Sequence, residues 1–366
     1  MNASNTLDSS DRLSLPLVAC RANIREMTGY VPGEQPREGQ WIKLNTNENP
    51  YPPSPQVLKA LTQAISGERL RKYPDPLGSS FRQTAARIFN IDAESILIGN
   101  GSDDLLTIVT RTFVPEGGCV GALTPSYILY RNLAEIQGAR FLQVPFGPNW
   151  SLPSPGQFRD VNLFFLPNPN SPSGTMVPIA ELAAWIDRLD RPIVVDEAYV
   201  DFAEESAISL VRDRPNVIVT RSLSKSYSLA GIRFGFAIAH PDVIQEMLKV
   251  KDSYNCDALS LVAAEVAVAD QEYLRETRAR ILATRRRMET ALSRLGFEVT
   301  PSHANFVWCR RPDQDARAIY EELKQRRILV RYMNFPGYGD GLRISVGTDP
   351  EIDQLLDELH RIGRRP

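Results

Sequence analysis

The chain has 366 residues, of which 43% are hydrophobic and 23% charged, with a formal net charge of -2. These values predict a globular protein with a substantial core, built as one large domain plus a smaller one. They argue against partners that need a basic excess, nucleic acid and anionic membrane surfaces among them.

Residues 1–15, rich in Ser, Asn and Asp, are expected to be disordered. Residues 16–39 form a turn-rich arm containing Tyr30-Val-Pro-Gly, and Leu44-Asn-Thr-Asn-Glu-Asn-Pro-Tyr51 reads as polar and extended. Helices are predicted at 56–65 and 81–89. Between them, Tyr73-Pro-Asp-Pro is a rigid turn that presents an aromatic hydroxyl.

From residue 95 the pattern alternates strand and helix. A strand at 96–98 leads to Asn100-Gly-Ser-Asp-Asp104, which opens a helix running to Phe113. Backbone N–H groups and the dipole at such a start suit a phosphate, although a plain N-cap reads equally well. A dinucleotide site is disfavoured, because the third glycine and the later acidic residue are missing. Strands follow at 119–123, 140–144 and 162–166. The first ends in Pro125-Ser-Tyr127, which sets Tyr127 either to stack on a flat ring or simply to pack on a helix. The third runs into Pro167-Asn-Pro-Asn-Ser-Pro-Ser-Gly174, a segment that aims Asn168 and Asn170 rigidly.

After a helix at 179–189, the strand at 192–195 ends in Asp196-Glu-Ala-Tyr199. The pattern also describes a Walker B segment, but no P-loop accompanies it. A fixed carboxylate instead suits a pyridinium nitrogen. The next strand, 216–220, leads into the loop Arg-Ser-Leu-Ser-Lys-Ser-Tyr-Ser-Leu-Ala-Gly-Ile-Arg of residues 221–233, and 233–239 again reads as a strand. Ser222, Ser224 and Arg233 make an anion cradle. Lys225 lies in the apolar part of this neighbourhood, where a neutral, nucleophilic amine is favoured, and together these features suggest a Schiff base to pyridoxal phosphate. Ser222-Leu-Ser-Lys225 also fits the Ser-x-x-Lys of acyl enzymes, yet the partner motifs of that class are absent.

Helices at 242–249, 258–269 and 272–295 follow, the last stopped by Gly296. The remainder reads as a smaller α+β unit with strands at 297–300, 305–309, 328–332 and 342–346 and helices at 313–325 and 351–361. Arg331 and Arg343, on its last two strands, are either solvated edge residues or a clamp for an anion. Cys20, Cys119, Cys256 and Cys309 lack paired spacing, and His240, His303 and His360 are far apart, so neither a disulfide frame nor a metal site is predicted. No apolar run approaches the roughly 20 residues of a membrane span. The N-terminus lacks a basic-then-apolar signal, so a cytoplasmic location is expected.

Taken in order and spacing, these motifs resemble the fold-type I pyridoxal-phosphate aminotransferases. The arm motifs around Tyr30 and Asn47 lean toward the histidinol-phosphate branch. The resemblance runs from about Tyr30 to about Thr348. It implies an α/β fold with a large α/β/α domain around a mostly parallel sheet and a smaller α+β domain. The expected division is an arm at 1–45, a cofactor-binding domain at 46–255 and a small domain at 256–366.

The resemblance also assigns roles. Lys225 would bind pyridoxal phosphate covalently and then act as base, Asp196 would hold the ring nitrogen protonated, and Tyr199 would bond the ring hydroxyl oxygen. Tyr127 would stack on the ring. Ser102, Asp103, Ser222, Ser224 and Arg233 would hold the phosphate, joined by Tyr73 from a partner subunit in a homodimer with shared active sites. Arg343 would bind the substrate anion, with Tyr30, Asn47 and Arg331 nearby. One position departs from the family: Ser171 stands where an Asn usually contacts the ring oxygen, and Asn170 is expected to supply that contact from one residue earlier.

The activity implied is amino transfer between L-histidinol phosphate and 2-oxoglutarate, giving imidazole acetol phosphate and glutamate. Aromatic amino-acid transamination and threonine-phosphate decarboxylation are the alternatives on the same fold. A non-catalytic binding module is the alternative from another class, and the intact Lys225, Asp196 and Arg233 set argues against it.

Overall fold

The computed structural model describes residues 20–36 and 38–363; the segment expected to be disordered, 1–15, lies outside them. Seven strands form the central sheet: Ile96–Gly99 (β1), Cys119–Thr124 (β2), Arg140–Pro145 (β3), Leu163–Pro167 (β4), Ile193–Asp196 (β5), Val217–Ser222 (β6) and Gly235–Ile238 (β7). Their order is β1-β7-β6-β5-β4-β2-β3, and every pairing is parallel except those of β7 with its two neighbours. The inner strands are aliphatic on both faces because helices cover both. Along β5, Ile193 and Val195 enter one core while Val194 enters the other, and along β6 Val217 and Val219 oppose Ile218 in the same way.

The smaller unit carries an antiparallel sheet of Glu298–Thr300 (β8), Phe306–Arg310 (β9), Arg331–Phe335 (β10) and Gly339–Ser345 (β11), in the order β10-β11-β9-β8. Helices Gln271–Arg294, Ala316–Gln325 and Asp349–Gly363 bury Met288, Leu323 and Leu355 against it. The fold class implied by the resemblance is the one observed.

Four expectations change. The strand expected at 328–332 is two strands. Ile328–Leu329 pairs in parallel with Ile42–Lys43, and Arg331 then starts β10. Leu44, within the arm expected at 1–45, consequently packs in the small unit's core. The helix Ala258–Ala269, expected to open the small domain, buries Ala263, Ala264 and Ala267 in the large core, where small side chains let it approach Pro55–Ala64 and Ser79–Phe89 closely. By packing, the large unit therefore runs on to about Asp270, whose carboxylate caps the next helix and bonds Ser54. Finally, Leu129–Gln137 is a helix that the sequence reading passes over. Its signals are a buried Tyr130, Leu133 and Ala134 face and Gly138 as a left-handed cap at φ 74. Among the described residues, no helix is long and apolar enough to cross a membrane.

Candidate active site

Strands β2, β4, β5 and β6 all end at one edge of the sheet, and the antiparallel β7 starts there. Loops leaving this edge converge with the arm and the small sheet on a cavity of about 620 Å³, within the range of small-molecule sites. Ser102, Asp103, Tyr127, Asp196, Tyr199, Ser222, Ser224, Lys225 and Arg233 all line it, as do Tyr30, Asn47, Arg331 and Arg343.

One end of the cavity is built for an anion. Gly101, at φ 83, precedes the Ser102–Phe113 helix, so Ser102 and Asp103 form its first turn at the cavity wall. Arg233, expected within a strand, instead adopts φ 55 just before β7. This turn brings its guanidinium over the loop. Nη1 donates to Ser224 Oγ at 3.3 Å, and Nη2 lies 3.6 Å from Asp103 Oδ2. Ser222 Oγ accepts from the Ser224 N–H at 3.2 Å.

Close approach of backbones requires the glycines here. A Cβ on Gly235 would lie 2.7 Å from Arg221 O and 2.8 Å from Ser102 N, neither of which can swing aside as a side chain would. Gly235→Ala is accordingly expected to cost about 1–3 kcal/mol in urea unfolding and to weaken phosphate-ligand binding at the same loop. An unchanged midpoint and affinity would contradict this account of the cradle.

Asp196 sits at the floor. It is buried and accepts from Tyr130 Oη at 2.8 Å, Thr220 Oγ1 at 3.3 Å and the Ala198 N–H at 3.3 Å. Burial pushes its pKa up to about 6, with Asp103 adding to the rise and the Tyr130 bond opposing it. Tyr130 is fully buried and stacks on Phe165 with centroids 4.7 Å apart. Sequence reasoning missed this residue; its spacing of three from Tyr127, which lies just before the Leu129–Gln137 helix, was the available signal.

Lys225 is half-buried, and its Nζ donates to Thr46 O at 3.1 Å. Its loop is pinned from two sides. Asn49 Nδ2 donates to the carbonyls of Lys225 and Ser226 at 2.9 and 3.1 Å, and Ser226 Oγ bonds Asp201. Asp201 and Glu197 in turn flank the buried Arg221. Neither Asn49 nor the Arg221 network was singled out from the sequence.

Tyr127 packs edge-on against Tyr30 and Tyr130 and donates to Asp103 Oδ1 at 3.2 Å. Burial, with Asp103 beside it, keeps its phenol protonated. Arg331 and Arg343 are directly opposite in the β10–β11 register. Arg343 donates to Ser171 Oγ at 2.9 Å and Asn45 O at 3.0 Å, while its buried Nε has no partner. Burial, followed by the charge of Arg331, pushes the Arg343 pKa down. Two guanidiniums facing one cavity, one with an orphaned donor, suit an anionic ligand.

Two predicted site residues lie elsewhere. Asn170 does not line the cavity: its Nδ2 donates to Ser173 Oγ at 2.8 Å and Pro125 O at 3.2 Å, closing the proline-rich turn. Asn168 is spent in the same way, bonding Val177 through both its amide atoms. Pro167, Pro169 and Ser171 are the residues of this turn that line the cavity, and of these Ser171 carries a polar side chain. Tyr73 is 81% exposed and stacks on Tyr254 at 4.5 Å, outside the cavity of its own chain.

Compared with known proteins, residues 39–359 match the family model of aminotransferase class I and II. The chain is 54% identical over 344 residues to a histidinol-phosphate aminotransferase of Rhodopirellula baltica, covering 93% of this chain and 95% of that one. It is 47% identical over 346 residues to histidinol-phosphate aminotransferase 1 of Trichormus variabilis, covering 94% and 99%. Among solved structures it is similar to histidinol-phosphate aminotransferase of Sinorhizobium meliloti in complex with pyridoxal-5'-phosphate. That match has a TM-score of 0.83 at 30% identity and covers 88% of this chain and 91% of that one.

Proposed function

The chain belongs to the aminotransferase class I and II family, and on that premise we propose that it is a pyridoxal-phosphate-dependent transaminase. It interconverts L-histidinol phosphate plus 2-oxoglutarate and imidazole acetol phosphate plus L-glutamate, a step of histidine biosynthesis. The observation that carries this reading is the meeting of Lys225, buried Asp196 and the Ser102, Ser222, Ser224 and Arg233 cradle on one cavity.

The donor set fits the cofactor. Hydroxyls and an arginine around a glycine-shaped loop suit its phosphate. A fixed carboxylate buried at the cavity floor suits a protonated ring nitrogen, whose positive charge would hold Asp196 as the anion. When bound, pyridoxal phosphate supplies an electron sink for the pair left as the substrate carbon loses its proton. Lys225 would hold it covalently, and once released Nζ would carry that proton. Tyr127 would cover the ring, with Tyr199 and Asp196 at its polar positions. Arg343 and Arg331 would take the anionic group of either substrate, which orients the reacting carbon. Tyr30 and the arm segment beside it would exclude water from the mouth.

A homodimer accompanies this reading. Leu70, Tyr73, Leu77 and Tyr254 are all exposed, an apolar grouping suited to a second copy that would receive Tyr73 at its phosphate cradle. The cytoplasm is the fitting compartment, since Cys119, Cys256 and Cys309 are buried free thiols.

The test is a substrate panel on the purified, cofactor-loaded protein. Histidinol phosphate is expected to give glutamate only when 2-oxoglutarate is supplied. Turnover confined to aromatic amino acids, or carbon dioxide released from threonine phosphate without a keto acid, would replace this substrate assignment.

A further inference from the structure

Asn47 lies between the small sheet and Tyr199, and its bonds fix their own direction. Its backbone N–H donates to Ser345 Oγ at 2.8 Å, so the Ser345 proton goes to Asn47 Oδ1, 3.0 Å away. The amide oxygen therefore faces Ser345, and the amide nitrogen faces Tyr199, donating to its phenol oxygen at 3.0 Å. Asn305 Nδ2 holds the Asn47 carbonyl at 3.0 Å, and the residue itself is buried. Among the described residues, the Tyr199 hydroxyl has no hydrogen-bond partner besides Asn47. Its own proton is thus left for the cavity that both residues line.

We propose that Asn47 is a positioning residue that holds the Tyr199 hydroxyl as a one-way donor into the cavity, toward the ring oxygen of the bound cofactor. The inference rests on the cofactor reading above. It moves Asn47 from a substrate contact to a director of Tyr199. Of the neighbouring groups, the Asn170 amide nitrogen is spent on closing its turn, while Ser171 Oγ accepts from Arg343 and keeps its own proton. The Tyr199 ring lies 5.9 Å from Lys225 Nζ, so a donor there acts beside the reacting amine.

Asn47→Asp isolates the direction of the bond. Asp tolerates the left-handed backbone at φ 55 and keeps the acceptor for Ser345, but it presents an acceptor to Tyr199 and draws the phenol proton away from the cavity. The dissociation constant for pyridoxal phosphate is expected to rise about tenfold, as loss of one such bond allows, and the visible absorption maximum of bound cofactor is expected to shift. Both are measured in the wild-type and Tyr199→Phe backgrounds, where the cycle separates coupling from general damage. In the Tyr199→Phe background the substitution should change neither quantity further. An equal effect in both backgrounds, or none in either, overturns the proposal. Asn47→Gly, which suits the same backbone and deletes the amide, takes its place if the Asp variant does not fold. Failure of the wild type to bind pyridoxal phosphate would instead sink the cofactor reading on which the proposal stands.

Discussion

Replacing Lys225 with alanine is expected to lower amino transfer by at least about 10³-fold, the scale of losing a positioned acid–base group, and to abolish covalent retention of the cofactor. The protein should stay folded. The side chain contributes one hydrogen bond, to Thr46 O, whose loss costs only about 1 kcal/mol. The loop backbone remains held by Asn49 and by the Ser226–Asp201 bond. Lys225→Arg should be nearly as inactive, because a guanidinium keeps its proton at any working pH. The check is paired: dialysis followed by a visible spectrum for cofactor retention, and urea unfolding for stability. Substantial turnover in either variant would remove Lys225 from the chemistry.

Asp196→Asn should separate activity from stability in opposite directions. Without an anion at this position nothing holds the ring nitrogen protonated, so turnover is expected to fall by about 10²-fold or more. The cofactor-free protein, however, should gain stability at alkaline pH. Burial raises the Asp196 pKa from 3.8 to about 6, so the folded state binds this proton more tightly than the unfolded chain. That contribution is present in full below the unfolded value and is lost as pH rises through about 6. Asn is neutral throughout and does not suffer the loss. The cofactor-free variant should therefore exceed wild type by up to about 3 kcal/mol well above that pH, with the gap closing toward pH 4. Urea midpoints across this range measure it. A gap that widens on acidification would show that Asp196 is stabilised as the anion, contrary to its burial. Cofactor binding should shrink the difference from the other side, since a cationic ring nitrogen lowers the carboxylate pKa.

The Asp196 environment also shows where sequence reasoning loses reach. That Asp196 follows a buried strand is a local pattern, because a run of aliphatic residues buried on both faces has to end in a polar turn. Its third dimension is not local. Tyr130 reaches it from a helix 66 positions earlier, and Thr220 from the next strand. Neither bond has a sequence spacing to betray it.

The proline-rich turn makes the same point by contrast. Its composition foretells rigidity, but which of Asn168, Asn170 and Ser171 faces the cavity depends on how the turn closes. Asn170 spends its amide nitrogen on Ser173 and Pro125, and Ser171 is left facing Arg343. The expectation for Asn170 rested on its type and neighbourhood, and these set capacity to bond without setting direction.

What the amino-acid order decided was therefore periodic or covalently local. The alternating strands and helices, the glycine turn before Ser102, and the Ser222, Ser224 and Lys225 spacing all follow from side-chain alternation and turn chemistry within a few residues. Tertiary structure alone decided what converges across distance. It set Leu44 in the small core, returned Ala258–Ala269 to the large one, and brought Asn47 between Ser345 and Tyr199. The physical reason is that burial on one helix or strand face can be read from its period, whereas the partner that buries it is chosen by the fit of whole surfaces.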